Sequence, residues 1–208
     1  METLVAQHFT ITAFVSIALG YLLGSIPFGL VITKLAGLGD IRNIGSGNIG
    51  ATNVLRTGRK DLAALTLILD GGKGAAAVLI ASHFGLQAMM GAAMGSFLGH
   101  LYPVWLRFKG GKGVATTLGI LLAFAPWAGV ATCATWLVTA FVTRISSLSA
   151  LVALALAPFY TAYFYTPKWS WLIGTIAIIS WWKHRENIKR LLKGEEPKIG
   201  KKKDAGAS

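Results

Sequence analysis

GVATTLGILLAFAPWAGVATCATWLVTAFVT, residues 113–143, contains no Asp, Glu, Lys or Arg, and the way it is divided decides the fold. One helix needs only about 20 apolar residues to cross a bilayer, so this run is long enough to fold back on itself. Pro126 lacks a backbone donor and disfavours helix at Ala125, which predicts two short helices hinged at Pro126 and Trp127. Treated as a single span, the run would export Arg144 and the basic C-terminus. Treated as two, it keeps them on the side where Lys and Arg accumulate, as the positive-inside bias requires.

Four further runs lack Asp, Glu, Lys and Arg, at 3–33, 74–106, 145–167 and 169–182. His83-Phe84-Gly85 predicts a turn that splits the second of them. Seven spans result, at about 10–33, 62–82, 87–106, 114–125, 127–143, 148–166 and 169–183. With the N-terminus outside and the C-terminus cytoplasmic, 19 of the 20 Lys and Arg residues fall inside and only Lys168 outside. The composition agrees: 54% hydrophobic, 13% charged, mean hydropathy +0.59, and seven tryptophans for interfacial belts. The expectation is an all-α integral membrane protein with seven transmembrane helices, one domain over 1–200, and a basic, disordered tail at 201–208.

Asp70 and Lys73 are the exception inside a span, since charges at membrane depth must be paired or solvated. Their spacing allows an i to i+3 pair, and 62–69 reads either as part of a span or as a re-entrant helix. Met1 to Gln7 carries no Lys or Arg, so the charged n-region of a cleavable signal is missing. Cys133 is the only cysteine, which excludes disulfide frameworks and reads as a buried, inert thiol. Of the Lys and Arg residues behind the net charge of +12, nine of 20 lie between Lys183 and Lys203, including Lys201-Lys202-Lys203. Attraction to anionic headgroups explains it without nucleic acid.

Three polar segments interrupt the apolar pattern. The first, GSGNIGATNVLR at 45–56, combines glycines that let backbone N–H groups converge on an anion with neutral donors on Ser46, Asn48, Thr52 and Asn53. Arg56 closes it with a planar fork suited to phosphate or carboxylate. The second is an echo, GGKGAAAVL at 71–79 and GGKGVATTL at 110–118, each read as a Gly-Gly-Lys-Gly turn heading a small-residue helix, where N–H groups and dipole favour an anion. Neither matches the Walker pattern, because Gly and not Ser or Thr follows each Gly-Lys. The copy at 109–113 is better equipped, with Arg107, Lys109 and Lys112 around it; the copy at 71–74 is otherwise read as close helix packing through small residues. The third segment, Lys183-His184-Arg185-Glu186-Asn187, puts His184 and Asn187 on one face of a continuing helix.

GSIPFG (24–29), RNIGSGNIGATNVLR (42–56), LDGGKG (69–74), GHLYPVWLRFKGGKGVAT (99–116) and HRENIKRLLKGEE (184–196) together resemble the bacterial acyl-phosphate:glycerol-3-phosphate acyltransferases, the PlsY family. The matches cover most of the chain in family order. The resemblance implies seven helices in the bacterial inner membrane with cytoplasmic active-site loops. It implies transfer of a fatty acyl group from acyl phosphate to the sn-1 hydroxyl of glycerol 3-phosphate, giving lysophosphatidic acid and phosphate for phospholipid synthesis. No metal or cofactor is implied, and a functional link to the enzyme that makes acyl phosphate is. By resemblance Ser46 and Arg56 are essential phosphate-binding residues, with Gly45, Gly47, Asn48, Gly50, Thr52 and Asn53 as an anion cradle. Gly110, Gly111 and Gly113, with Lys109 or Lys112, hold glycerol 3-phosphate. His184 and Asn187 bind substrate or take part in catalysis, and Glu196 gives structural support. Ser147 fits a serine position of the family, whereas Ala150 departs from one.

No His-x4-Asp pair, the general-base motif of other glycerol-phosphate acyltransferases, is present: Ala13, Ala88, Trp105 and Lys189 stand five residues after His8, His83, His100 and His184. Either a substrate phosphate oxygen or His184 is left to take the hydroxyl proton. Direct transfer is expected over a Ser46 acyl-enzyme, because no base adjoins Ser46 in sequence. A metal-dependent CDP-alcohol phosphotransferase would need clustered carboxylates, and Asp40, Asp61 and Asp70 are not clustered. A transporter for an organic phosphate would put its polar groups at the bilayer midplane, and these motifs all map to one face.

Overall fold

The computed structural model describes residues 2–199; the tail expected at 201–208 lies outside the described residues. Among the described residues ten α-helices follow one another: α1 (Glu2–Gly24), α2 (Phe28–Leu35), α3 (Ala51–Val54), α4 (Lys60–Ser82), α5 (Leu86–Leu101), α6 (Val114–Phe124), α7 (Pro126–Thr143), α8 (Ser146–Phe164), α9 (Pro167–Lys183) and α10 (Arg185–Leu192). The two divisions read from sequence are present. Pro126 opens α7 immediately after α6, a position where its missing N–H costs nothing. The chain turns between α4 and α5 at His83, Phe84 and Gly85, with Gly85 at φ 93°.

Three expectations are corrected. The first span, expected as one helix over about 10–33, is broken at Ser25–Pro27, because Pro27 offers no N–H and restrains Ile26; α2 restarts at Phe28. The third stops at Leu101 and not near 106, and Pro103 follows with a short 3-10 turn over Val104–Leu106. Residues 71–74 form no turn at the head of a helix. They lie inside α4, which also runs unbroken through 62–69. Their glycines serve packing: a Cβ on Gly74 would sit 2.6 Å from Thr116 O, and one on Gly119 would strike the backbone of Gly71, so α4 and α6 approach through small residues.

Ile11–Leu35, Lys60–Ser82, Pro126–Thr143 and Ser146–Phe164 are long and apolar enough to cross a membrane. Helices α5, α6 and α9 have 16, 11 and 17 residues, about 16 to 26 Å at 1.5 Å per residue. Helix α1 packs on α5, α4 on α6, and α8 on both α7 and α9. Phe97, Leu101, Ile120, Leu121, Ile173 and Ile176 fill the centre. Large apolar side chains also point outward, Phe141 at 88% exposure and Trp171 at 80% among them, while Ser96, Thr117, Thr132 and Ser149 are fully buried. That inversion suits hydrocarbon, where polar groups turn inward. Asp70 and Lys73 obey it as a buried i to i+3 pair at 2.8 Å.

Candidate functional site

A cavity of about 1290 Å³ opens between the 44–57 loop, the glycine turn before α6, the start of α8 and the junction of α9 with α10. Arg56, Lys112, His184, Asn187, Arg190 and Glu196 line its polar end; Leu67, Leu118, Trp136 and Leu137 line an apolar wall. Arg56 and Glu196, 140 positions apart in sequence, thus meet in one chamber.

The first loop is organised by Asn53, not by an open ring of N–H groups. Asn53 Nδ2 donates to Ile41 O at 2.7 Å, which fixes the amide. Its Oδ1 then accepts from Ser46 N at 3.1 Å, Ser46 Oγ at 3.4 Å and Arg56 Nη1 at 3.2 Å. Gly47 N–H is taken by Ile44 O, and Gly50 N–H by Asn48 Oδ1 at 3.3 Å. Three backbone N–H groups of the expected anion cradle, those of Ser46, Gly47 and Gly50, are therefore bonded within the loop, which also presents the side chains of Ser46, Asn48, Thr52 and Arg56 to the cavity. Gly45 has φ 56°, and a Cβ there would collide with the Arg56 side chain and Asn53 Oδ1, so this glycine makes room for the guanidinium. Gly45, Ser46, Asn48, Gly50, Thr52, Asn53 and Arg56 reach the cavity, whereas Gly47 is not among its lining residues. Thr52 ties the loop to α8 through Ser146 Oγ at 3.0 Å.

The second turn divides in the same way. Gly110 N–H is bonded to Leu101 O at 3.1 Å and Gly111 N–H to His100 O at 3.0 Å. Neither glycine lines the cavity, nor does Lys109; Lys112 and Gly113 do. Gly113 heads α6 at φ 84°, against the Phe97 ring. Lys112 Nζ donates to Asn187 Oδ1 at 2.5 Å, and Lys112 O accepts from Ser180 Oγ at 2.8 Å. Burial pushes the Lys112 ammonium down to about 8; Glu196 opposes the shift, and Arg190, Arg56 and Lys183 add to it.

The helix expected to continue through 184–187 is interrupted at His184, which caps α10. Both residues still face the chamber. His184 Nδ1 lies 2.8 Å from Ser180 O. A carbonyl can only accept, so Nδ1 carries the proton and Nε2 keeps a lone pair. Burial holds this imidazole down at about 4, helped by Lys112 and opposed by the Ser180 bond and Glu196; it is neutral at pH 7. Glu196 ties the junction together, accepting from Ser147 Oγ (2.7 Å), Asn187 Nδ2 (2.5 Å) and Arg190 Nε (2.7 Å). Burial works to raise its carboxyl, but these donors outweigh it and keep it below the usual value. The final described residue, Ile199, donates its N–H to Arg144 O at 2.6 Å, which straps the 194–199 segment across the start of α8.

Several wall residues escaped the sequence reading. Arg190 stands three positions after Asn187, and that spacing on one helix face is the signal that would have found it. Asp70 was singled out only as the partner of Lys73 and not as a wall residue, and His100 and Trp136 carried no local signal of their own. Cys133, expected to be buried, is half-exposed on the cavity wall, because α7 turns that face to the chamber. Among the described residues, no group of three or more His, Cys, Asp or Glu comes together as a metal site would require.

Comparison with known proteins gives a consistent set of relatives. The profile of the family described as glycerol-3-phosphate acyltransferase matches residues 14–194. The chain is similar to the glycerol-3-phosphate acyltransferase of Rhodospirillum rubrum, at 59% identity over 196 residues, with 89% of this chain and 90% of that protein covered. It is similar to that of Caulobacter vibrioides, at 61% over 199 residues, with 94% and 91% covered. Among solved structures, it resembles PlsY, an integral membrane glycerol 3-phosphate acyltransferase, in its glycerol 3-phosphate form: 40% identity, TM-score 0.86, 90% of this chain and 96% of that chain. The lysophosphatidic acid form of PlsY superposes with TM-score 0.84 at 38% identity, covering 90% and 95%.

Proposed function

The chain belongs to the glycerol-3-phosphate acyltransferase family, and on that premise we propose that it moves a fatty acyl group from acyl phosphate to the sn-1 hydroxyl of glycerol 3-phosphate. The observation that carries this reading is the convergence of Arg56, Lys112 and Arg190 at one end of a chamber whose other wall is Leu118, Trp136 and Leu137. Cations suit two phosphorylated substrates, and the apolar wall suits an acyl chain.

In the reaction, the glycerol oxygen attacks the acyl carbonyl, the new ester C–O bond forms, and the carbonyl–oxygen bond to phosphate breaks, its electron pair leaving with phosphate. Acyl phosphate carries a good leaving group, so the protein's task is orientation and charge stabilisation. Arg56 and Lys112 neutralise the phosphates, and Ser46 donates to one of them. His184 Nε2, with its free lone pair, accepts a hydrogen bond from the attacking hydroxyl and orients it. The proton ends on phosphate: a phosphate dianion, whose conjugate acid has a pKa of about 6, is a better acceptor than an imidazole held at about 4. Asn187, Ser147 and Glu196 keep Lys112 and the junction in register.

The assignment extends to placement. Seven spans, with the N-terminus outside and the loops at 34–61, 107–113, 144–147 and beyond 183 in the cytoplasm, put the chamber where soluble glycerol 3-phosphate is made. The setting is the bacterial inner membrane, with residues 1–200 as one polytopic domain, and the acyl phosphate comes from a separate enzyme. The deciding experiment is phosphate release by purified protein, assayed with acyl phosphate alone, glycerol 3-phosphate alone, both, and acyl-CoA in place of acyl phosphate. Release dependent on both partners, with the ester at the sn-1 oxygen, supports the reading; transfer from acyl-CoA alone would sink the donor assignment.

A further inference from the structure

Asp70 and Lys73 form the most deeply buried ion pair among the described residues, with side chains 3% and 1% exposed. Burying two charges is costly, and attraction between them often fails to offset desolvation. Their surroundings give the pair a task. Lys73 Nζ donates to Asp70 Oδ1 and to Ile26 O, both at 2.8 Å, which locks α4 to the break between α1 and α2, and it sits 5.6 Å from the Phe28 ring centre. Asp70 Oδ1 faces His100 Nδ1 at 3.7 Å. That nitrogen is buried and has no hydrogen-bond partner among the described residues, and the Asp70 carboxylate is a charged group that it faces.

His100 meets the second glycine turn twice. Its carbonyl accepts Gly111 N–H at 3.0 Å, and its Nε2 occupies the space that a Cβ on Gly111 would need. The next residue is Lys112, whose ammonium reaches the chamber and Asn187.

We propose that Asp70, Lys73 and His100 are positioning residues for acyl transfer: the ion pair sets the His100 imidazole, the imidazole seats the Gly110–Gly113 turn, and the turn aims Lys112. Gly111 is then glycine to admit the imidazole, not to let a phosphate approach its backbone. This rests on reading the chamber as the acyltransfer site, since Lys112 is the group whose aim is measured.

Second-site rescue tests it. Kinetics for both substrates and melting temperature in detergent are measured for wild type, Gly111→Ala, His100→Ser, the double variant and Asp70→Asn. An overpacked turn predicts that Gly111→Ala raises the KM for glycerol 3-phosphate about tenfold, with kcat changed less. The double variant recovers at least about threefold of that loss, because the methyl enters the space the ring has left. Asp70→Asn keeps the size and a Lys73 acceptor but removes the charge facing His100, and raises the same KM while melting near wild type. A double variant no better than the product of its singles, or Asp70→Asn with a wild-type KM, overturns the proposal. Inactive wild type would instead sink the functional reading. The coupling is then read from melting temperature alone, where a methyl at Gly111 that costs as much in the His100→Ser background as beside the native ring again overturns it.

Discussion

Lys112 Nζ and Asn187 Oδ1 lie 2.5 Å apart across 75 positions of sequence, and the other end of the same amide donates to Glu196 Oε1. A neutral group thus stands between the cation and the carboxylate, so Lys112 is held by Asn187 without being neutralised by Glu196. Asn187→Asp would replace that spacer with a second carboxylate. It pairs directly with Lys112, repels Glu196 and opposes an incoming phosphate. The expected result is a KM for glycerol 3-phosphate at least about tenfold higher, the loss of roughly one charge-assisted bond. A KM within twofold of wild type would show that Lys112 does not meet the acceptor.

The depressed ammonium predicts a pH profile. In the free protein Lys112 loses its proton as pH rises through about 8, so kcat/KM, which reports the free enzyme, should fall there. Bound phosphate restores the charge, and kcat should hold to higher pH. Lys112→Arg keeps its charge throughout and should remove the limb below about pH 10. Initial rates from pH 6.5 to 9.5 check this; an unchanged limb in the Arg variant would assign it to another group.

His184 predicts a pH dependence of stability. Its folded value of about 4 lies below the ordinary 6.5, so the unfolded chain binds the proton more readily. The stabilisation is complete above about pH 6.5 and is lost as pH falls from there towards 4. Glu196, also held low, loses its contribution at still more acid pH, through its folded value below 4.5. Melting temperature should therefore decline in two stages, and His184→Gln should flatten the first while leaving the second. A first stage unaltered in that variant would exclude His184 as its source.

Arg56 is held by Asn53 Oδ1 at 3.2 Å beside a glycine that leaves room for it. A lysine keeps the charge but cannot both satisfy Asn53 and fork onto a phosphate. Arg56→Lys should lose about 10- to 100-fold in kcat/KM, consistent with one lost charge-assisted bond, with expression and melting close to wild type. Turnover near wild type at saturating substrate would reduce Arg56 to a surface charge.

What was legible in the sequence followed from local rules. Pro126 and the His83–Gly85 turn divided the long runs because a missing donor or a positive φ acts within one or two residues. The pairing of Asp70 with Lys73 was readable from helical spacing and the cost of charge in hydrocarbon. Both GGKG copies read as turns heading a helix, with 109–113 preferred for an anion and packing as the other reading of 71–74; Pro103 and the 3-10 turn place the first outside a helix, while the second continues α4 and packs on α6. Backbone N–H groups of Gly47, Gly50, Gly110 and Gly111 looked available for an anion, yet Ile44, Asn48, Leu101 and His100 take them, two of these acceptors lying on another element. The resemblance supplied Glu196, Ser147 and Asn187 singly, but their network was not readable from spacing, since Ser147, Asn187 and Arg190 meet Glu196 only after α8 and α10 are packed.

Orientation in the membrane gives the final prediction. On the proposed seven-span reading, the division at Pro126 makes the number of crossings before the C-terminus odd, so the two ends of the described chain should differ in side, and the loops that build the chamber should share one. In a Cys133→Ser background, cysteines replacing Arg59 and Lys198 flank that chamber, and one replacing Phe84, 67% exposed at the α4–α5 turn, lies at the opposite end of α4. A membrane-impermeant maleimide applied to intact cells should modify only the Phe84 variant, and permeabilised cells should react at all three. The 23 residues of α4 separate Arg59 from Phe84 by about 35 Å at 1.5 Å per residue, enough to place them on opposite faces of the hydrocarbon layer. Labelling of Arg59→Cys and Phe84→Cys from the same side would mean that α4 re-enters the face it left, which its unbroken hydrogen bonding and length argue against. Labelling of Lys198→Cys from outside would break the proposed parity and place the segment that carries Glu196 on the side opposite to the one proposed for the chamber loops.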